Sequence, residues 1–555
     1  MIDVIWYGHN GEYRVWWDMA MLSEIFSREL WDPVRGHQFA HYDGFESLPQ
    51  DAPGAVLVIP ARHNADKIGL INQKISRLGW VLLLLVGDEE ALFPVDQLSH
   101  PNMVVWAMTP HPGKWKRIDR YLINGYTPYT RKTLQSRKDN ADKRELGFFF
   151  AGQNNHDRRA GCLNALKKMK NGEVIETPGF TKGLPHEEYY AKMASAKVIP
   201  CPSGAAVPDS FRLWEALEAG CVPIADVLAP VIKEPRYWNI LLGEDELPFP
   251  TIKYWKDLAG TVQYFVDTYP RFQNKAFAWW QKFKRQMAYN LEEDIIRVSG
   301  VVPEESGLRD KITVLIPTSP IKSHPDTEVL EKVIGTVRER LPDSEIILMF
   351  DGVREEQKDY TERYQEYIRR VLWKANFEWK NVLPLVFETH HHQVAMTREA
   401  MKYVRTPTIL FVEHDAPLCE EIPFPNLVEA VISGDANMIR LNHEAKILDD
   451  HKYLTLDESA TNLYGAPLIR TAQWSQRPHL ASAEFYRRIL ADYFSQDAIT
   501  MIEDRIHGPI VQAWLERGRP GWNDWKIWVY APDGDQKRSY HLDGRGGDKK
   551  YEMTF

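Results

Sequence analysis

Pro407-Thr408-Ile409-Leu410-Phe411-Val412-Glu413-His414-Asp415 is an apolar run that stops at two carboxylates spaced i, i+2. Its β-branched and Leu/Phe composition predicts a buried strand over 408–412. Continued alternation would send Glu413 and Asp415 to one side, where both acids can share one divalent cation. Taken alone, the same tripeptide reads equally well as the polar opening of a loop.

Outward from this segment, short apolar runs alternate with helical patterns along the whole chain. Strands are expected at 2–7, 55–60, 81–86 and 103–107, then at 146–151, 173–177, 197–201 and 222–226. Runs apolar on both faces and separated by helices imply parallel sheets covered by helices, hence an α/β protein. Two sets of four predict a pair of Rossmann-like lobes, about 1–130 and 145–275, closed by a Trp-rich helix over 275–297. A Gly/Pro stretch at 298–310 reads as a linker between a first module, 1–300, and a second, 311–555. In the second module strands are expected at 312–317, 345–350, 382–387 and 408–412, with sheet additions at 436–441 and 463–470.

The 555 residues exceed what one core organises, and the 44% hydrophobic and 26% charged shares are ordinary for a globular protein. The longest apolar run, 80–86, is too short to span a bilayer, and residues 1–7 read as a strand and not a secretory signal. The four cysteines (Cys162, Cys201, Cys221, Cys419) lack CxxC spacing, so reduced core thiols and a cytoplasmic location are expected. A net charge of -9 excludes a uniformly basic surface and leaves room for a local basic patch.

Further acids fall at the ends of predicted elements in the second half. Asp351-Gly352 follows the strand 345–350, and Pro317-Thr318 closes 312–317; ligands of open α/β sheets bind at such carboxyl ends. Glu503-Asp504 precedes a helical stretch, where a carboxylate could deprotonate a hydroxyl or simply complement the helix dipole. Tyr464-Gly465 is a tight-turn candidate, and His541 lies in a Gly-rich tail. In this order the half resembles the GT-A glycosyltransferases of the family-2-like group. The resemblance implies that Pro317, Thr318, Asp351, Arg398 and Gly465 line a nucleotide-sugar site. It further implies that Glu413, Asp415 and His541 hold Mn²⁺ or Mg²⁺ as a DxD-type site, and that Glu503-Asp504 supplies the base of an inverting transfer.

In the first half, Phe148-Phe149-Phe150-Ala151-Gly152-Gln153 is a strand entering a Gly turn, with Arg158-Arg159 after it. Downstream, Pro202-Ser203-Gly204 precedes Asp209-Ser210-Phe211-Arg212-Leu213-Trp214-Glu215-Ala216-Leu217-Glu218-Ala219-Gly220-Cys221-Val222-Pro223. Asp209 or Ser210 can cap an amphipathic helix whose N-terminus, beside a Gly loop, suits a diphosphate. This stretch resembles the exostosin-like group of GT-B glycosyltransferases. That resemblance implies that Ser203, Gly204, Asp209, Arg212 and Glu215 line a nucleotide site, with Arg158 near the phosphates. His9, after the first strand, is the candidate for acceptor contact or base.

The acceptor is the least legible part. Within 111–145, Lys114, Lys116, Arg117, Arg120, Arg131, Lys132, Arg137, Lys138, Lys143 and Arg144 outnumber four acids and interleave with Trp115, Tyr121, Tyr126 and Tyr129. Such a segment suits nucleic acid, and serves equally as a solvated connector between lobes. The expectation is therefore a two-module transferase using UDP-sugars. Its acceptor is either hydroxymethylated pyrimidine in DNA, as for phage enzymes, or a cytosolic or lipid-linked saccharide. The competing expectation is that one module binds nucleic acid or glycan without turnover.

Overall fold

The computed structural model describes residues 2–7, 39–111, 113–137, 144–179, 182–302, 307–442, 449–532 and 537–542. The chain divides into two compact units, Met1–Glu304 and Glu305–Phe555. The fold is α/β, with two parallel sheets in the first unit and one mixed sheet in the second.

The first sheet joins β1 (Ile2–Trp6), β2 (Phe39–Asp43), β3 (Ala55–Pro60), β4 (Val81–Val86), β5 (Met103–Met108) and β6 (Arg120–Leu122) in the order β2-β1-β3-β4-β5-β6. All its pairs are parallel. Every residue of β3 and β4 is buried, which is why these runs lack polar alternation. The second sheet, β7 (Leu146–Gly152), β8 (Gly172–Glu176), β9 (Ala196–Cys201), β10 (Val222–Asp226) and β11 (Thr251–Ile252), is also parallel, in the order β11-β10-β9-β7-β8. The expected sets of four are thus six and five strands. Sequence reading missed β2, β6 and β11 because they are short or only half-buried.

The helix Arg271–Ser299 is longer than the Trp-rich pattern suggested and engages both lobes. Asp294 accepts from Trp106 Nε1 at 2.7 Å and Arg120 Nε at 2.9 Å on the first lobe. On the second lobe, buried Glu218 accepts from Trp280 Nε1 and Lys284 Nζ, both at 2.7 Å, and from Arg131 at 2.6 Å. Burial alone would raise the Glu218 carboxyl; the Lys284 and Arg131 charges overcome it and hold it at about 2.

The sheet of the second unit contains β12 (Ile312–Thr318), β13 (Glu345–Phe350), β14 (Val382–Val386), β15 (Thr408–Phe411), β16 (Met438–Arg440), β17 (Thr461–Leu463), β18 (Ala466–Arg470), β19 (His479–Ser482) and β20 (Ile527–Tyr530). Their order is β14-β13-β12-β15-β19-β16-β20-β18-β17. The first four are mutually parallel, and β19 runs antiparallel between β15 and β16. His-Leu-Ala-Ser of β19 carries too little β signal to be found by pattern, yet it covers the open side of β15. The run expected at 463–470 is instead a hairpin, turned at Tyr464 and Gly465 with φ of 51° and 84°.

Candidate functional sites

The acids of the opening segment do not sit on a strand. β15 stops at Phe411, Val412 still donates to Leu315 O at 3.0 Å, and Glu413–Ala416 then turns, closed by Ala416 N–H to Glu413 O at 3.0 Å. The two carboxylates nevertheless converge, and the tail completes the group. Cys419 N–H donates to Arg538 O and Leu542 N–H to Asp415 O, each at 2.9 Å, and Leu418 bridges Ser539. This stitching brings His541 Nδ1 to 3.6 Å from Asp415 Oδ2 and Nε2 to 3.9 Å from Glu413 Oε2. One ligand atom from each of Glu413, Asp415 and His541 lies within 4.8 Å of the others. Cis ligands of a six-coordinate ion at about 2.1 Å are separated by roughly 3 Å, so small side-chain adjustments suffice to enclose one. Two carboxylates with one imidazole suit Mn²⁺, and Mg²⁺ less well. His414 points elsewhere, its Nδ1 3.2 Å from Pro317 O.

Glu503 and Asp504 start the helix Glu503–Arg517. Gln476 N–H donates to Glu503 Oε2 at 3.1 Å. Since His479 pairs with Phe411, the loop before β19, and with it this helix start, belongs to the carboxyl end of β15. Asp504 is exposed and accepts from Thr500 Oγ1 at 2.9 Å. The Glu413–Asp415–His541 group and Asp504 thus occupy the same end of the sheet.

The other residues of this half are largely committed to the protein. Asp351 Oδ1 accepts from Gly352 N at 2.8 Å and His391 N at 2.7 Å, while Oδ2 accepts from His392 N at 3.1 Å and lies 2.8 Å from His390 Nδ1. It pins the histidine loop across the carboxyl ends of β13 and β14, and a Cβ at Gly352 would strike Thr389 C at 2.1 Å. Arg398 donates to the carbonyls of Leu490, Phe494, Ser495 and Gln496, so it secures the end of the helix Ala483–Asp492. Gly465 is four strands from β15, roughly 19 Å at 4.8 Å per ladder step, so the hairpin does not join the acids. Pro317 and Thr318 do lie at the carboxyl end of β12, beside β15. Buried Thr318 Oγ1 is 3.3 Å from Tyr364 OH.

In the first unit Arg158, the arginine expected near phosphates, is engaged within the protein, and its neighbour Arg159 faces the Ser203 loop. Arg158 forms a two-pronged pair with Asp226 and donates to Lys253 O. Arg159, about 100° further round the helix Asp157–Leu166, faces the loop between β9 and the helix Phe211–Glu218, donating to Ser203 O at 3.3 Å. Arg212 lies 4.4 Å over the Phe150 ring and donates to Ala151 O at 2.6 Å, with its Nε lacking a partner among the described residues. Burial and the neighbouring Arg212 charge pull Arg159 down to about 10. Ser203, fully buried, and the N-cap Ser210 both present hydroxyls without partners among the described residues. Two guanidiniums that repel each other, these two hydroxyls and a helix N-terminus make a candidate cradle for an anion. Gly204 keeps the loop close, since a Cβ there would meet Asp209 O at 3.0 Å.

Glu215 and Asp209 face inward instead. Glu215 accepts from Tyr189 OH at 2.9 Å and Tyr190 OH at 2.8 Å. Tyr190 continues to Thr127 and Thr130 between the lobes. Asp209 accepts from Trp214 Nε1 at 2.7 Å and Asn124 N at 3.2 Å, and its burial pushes it up to about 7. His9 lies outside the described residues. Five basic residues of the interval are also engaged internally. Arg117 donates to Leu98 O and His100 O, Arg120 pairs with Asp294, Arg131 with Glu218, Arg144 holds Ala196 O and Ala219 O, and Lys114 reaches Glu90 O. Lys138 and Lys143 are outside the described residues. No described helix is long and apolar enough to cross a membrane.

No protein-family model and no curated protein matches the chain. Among solved structures it is similar to a mannosyltransferase from Pyrobaculum calidifontis in complex with GDP-Man and Mn²⁺, at 11% identity over 43% of this chain and 59% of that one, with a TM-score of 0.27. It is also similar to S. aureus TarS 1-349, at 12% identity over 42% and 61% of the two chains, TM-score 0.26. TarS 1-349 in complex with UDP-GlcNAc follows at 12% identity over 41% and 58%, TM-score 0.25. The matches span no more than 61% of these three neighbours. The functional reading therefore rests on the residues of the two sites.

Proposed function

We propose that the second unit is a metal-assisted glycosyltransferase of GT-A type, moving a sugar from a nucleotide-sugar donor, UDP-linked in the first instance, to a hydroxyl acceptor with inversion. The observation that carries this reading is the convergence of Glu413, Asp415 and His541 within 4.8 Å at the carboxyl end of β15. Those three residues would hold Mn²⁺ or Mg²⁺, which when bound supplies Lewis-acid stabilisation of a leaving diphosphate. Asp504, exposed at the same end of the sheet, takes the acceptor proton, and Glu503 holds the helix start through Gln476. Pro317 and Thr318 border the nucleotide, while Asp351 shapes its wall by fixing the 389–392 loop.

The test is Mn²⁺ binding, read by electron paramagnetic resonance, together with UDP-hexose turnover for Asp415→Asn and His541→Ala. Each variant should bind Mn²⁺ about 10- to 100-fold more weakly and lose metal-dependent turnover. Wild-type Mn²⁺ affinity in both variants would refute the assignment.

A second reading concerns the first unit: a GT-B-type transferase whose donor diphosphate is neutralised by Arg159 and Arg212 without a metal. The hydroxyls of Ser203 and Ser210, without partners among the described residues, beside two repelling guanidiniums favour it. UDP binding in EDTA tests it, and silence there would leave the unit a docking module. A saccharide acceptor is favoured over duplex DNA because Arg117, Arg120, Arg131 and Arg144 are committed to internal partners. Salt-dependent duplex binding, lost on neutralising Lys116 and Lys132, would reverse that preference.

A further inference from the structure

The loops that follow β13 and β14 meet backbone to backbone, since a Cβ at Gly352 would lie 2.1 Å from Thr389 C and 2.5 Å from His390 N. The contact sets Arg354, just before the short helix Glu355–Tyr360, against His392 at the start of the helix His392–Ala400. Asp351 locks the second loop by accepting from His391 N and His392 N. Those bonds hold His392 at φ of 57°, a left-handed setting seldom taken by a residue other than glycine.

The His392 ring is thereby placed between two donors. Its Nδ1 accepts from Gln393 N at 2.8 Å, so that nitrogen is bare and the ring proton sits on Nε2. Nε2 in turn lies 3.3 Å from Arg354 Nη2. A guanidinium and an Nε2–H both only donate, so neither satisfies the other. The Arg354 side chain has no acceptor among the described residues. Burial, with the Arg354 and His390 charges, holds the ring below its ordinary pKa against the pull of Asp351 and Asp504. Arg354 is exposed and His392 half-buried, so the pair can be reached from solvent.

Hydrogen bonds tie the same place to the candidate base. Val394 N donates to Thr500 O at 3.2 Å, Ile502 N donates to Gln393 Oε1 at 3.1 Å, and Thr500 Oγ1 donates to Asp504 Oδ2 at 2.9 Å. The start of the helix His392–Ala400 therefore abuts the turn that delivers Asp504.

We propose that Arg354 and His392 form an oxyanion subsite of the second unit, taking a phosphate or carboxylate group of a substrate beside Asp504, a role resting on the transferase reading of that unit. One anionic oxygen accepts from both Nη2 and Nε2 and removes the conflict between the two donors. The oxyanion comes either from the donor's diphosphate or from an anionic group on the acceptor, close to the hydroxyl that Asp504 deprotonates.

The experiment uses the full chain carrying Arg212→Gln, which weakens the first-unit cradle, and titrates inorganic phosphate and glucuronate in EDTA. Arg354→Gln should weaken both anions by about 10- to 150-fold, the loss of a charged hydrogen bond. His392→Asn, which accepts the left-handed backbone and withdraws the ring, should weaken them about 2- to 10-fold. Both variants should melt as the parent does. UDP and uridine titrated with Mn²⁺ then separate the sources. If Arg354→Gln weakens UDP but not uridine, the oxyanion is the donor's. If UDP is unchanged while phosphate and glucuronate weaken, it belongs to the acceptor. Equal binding of both anions by parent and Arg354→Gln would overturn the subsite, as would no binding by the parent. Mn²⁺-dependent UDP-hexose turnover in the parent judges the transferase reading separately: its absence beside Arg354-dependent phosphate binding removes that reading and leaves the anion site.

Discussion

Replacing Gly152 by alanine separates a ligand-binding Arg212 from one that merely packs. A Cβ at 152 would lie 2.5 Å from Arg212 Nη2, where ordinary contact begins at 3.4 Å, so the guanidinium must retreat by the 0.9 Å difference. Gly152 is not among the glycines with positive φ, so alanine meets no backbone strain there. The retreat stretches the 2.6 Å bond to Ala151 O and moves Arg212 off the Phe150 ring. Losing a well-aimed charged hydrogen bond to a phosphate costs about 1.5–3 kcal/mol, which corresponds to roughly 10- to 150-fold in affinity. Calorimetric titration of UDP into the full chain in EDTA measures this directly, with a thermal melt to verify folding. A Gly152→Ala protein that melts normally and binds UDP as tightly as wild type would refute the cradle.

Two further outcomes concern charges engaged within the protein. Glu218→Gln keeps the shape but strands Arg131 and Lys284, so stability should fall by about 3–5 kcal/mol. Because the folded Glu218 carboxyl is held near 2, below its ordinary 4.5, its contribution is complete above the ordinary value and disappears as pH falls through about 2. The melting gap between variant and wild type should close over that range, and a gap independent of pH would contradict the assignment. Arg398→Met removes donations to four carbonyls and should cost about 2–3 kcal/mol without changing the KM for donor sugars. A raised KM at unchanged stability would return Arg398 to the donor site.

The α/β class was legible because continuous apolar runs such as Val81–Val86 can be stable only when buried on both faces of a parallel sheet. Short strands escaped for the opposite reason: β19 is a strand because β15 and β16 supply its partners, and not because His-Leu-Ala-Ser favours extension. Residue type also misled where many partners were available. Glu215, Arg158 and Arg398 carry the right chemistry for a nucleotide, but Tyr189 and Tyr190, Asp226, and four carbonyls respectively occupy them. Arg158 and Arg159 are adjacent in sequence, and only the helix phase decides which of them faces the Ser203 loop.

By itself the sequence determined that Glu413 and Asp415 stand where an apolar strand ends, because hydrophobic continuity and its abrupt loss are local properties of the chain. Tertiary structure decided that they converge with His541. The strand stops at Phe411, the acids turn, and His541 arrives through backbone bonds between 415–419 and 538–542, more than a hundred residues apart. Pairing across that distance is set by which buried edges need partners, and no local pattern records it.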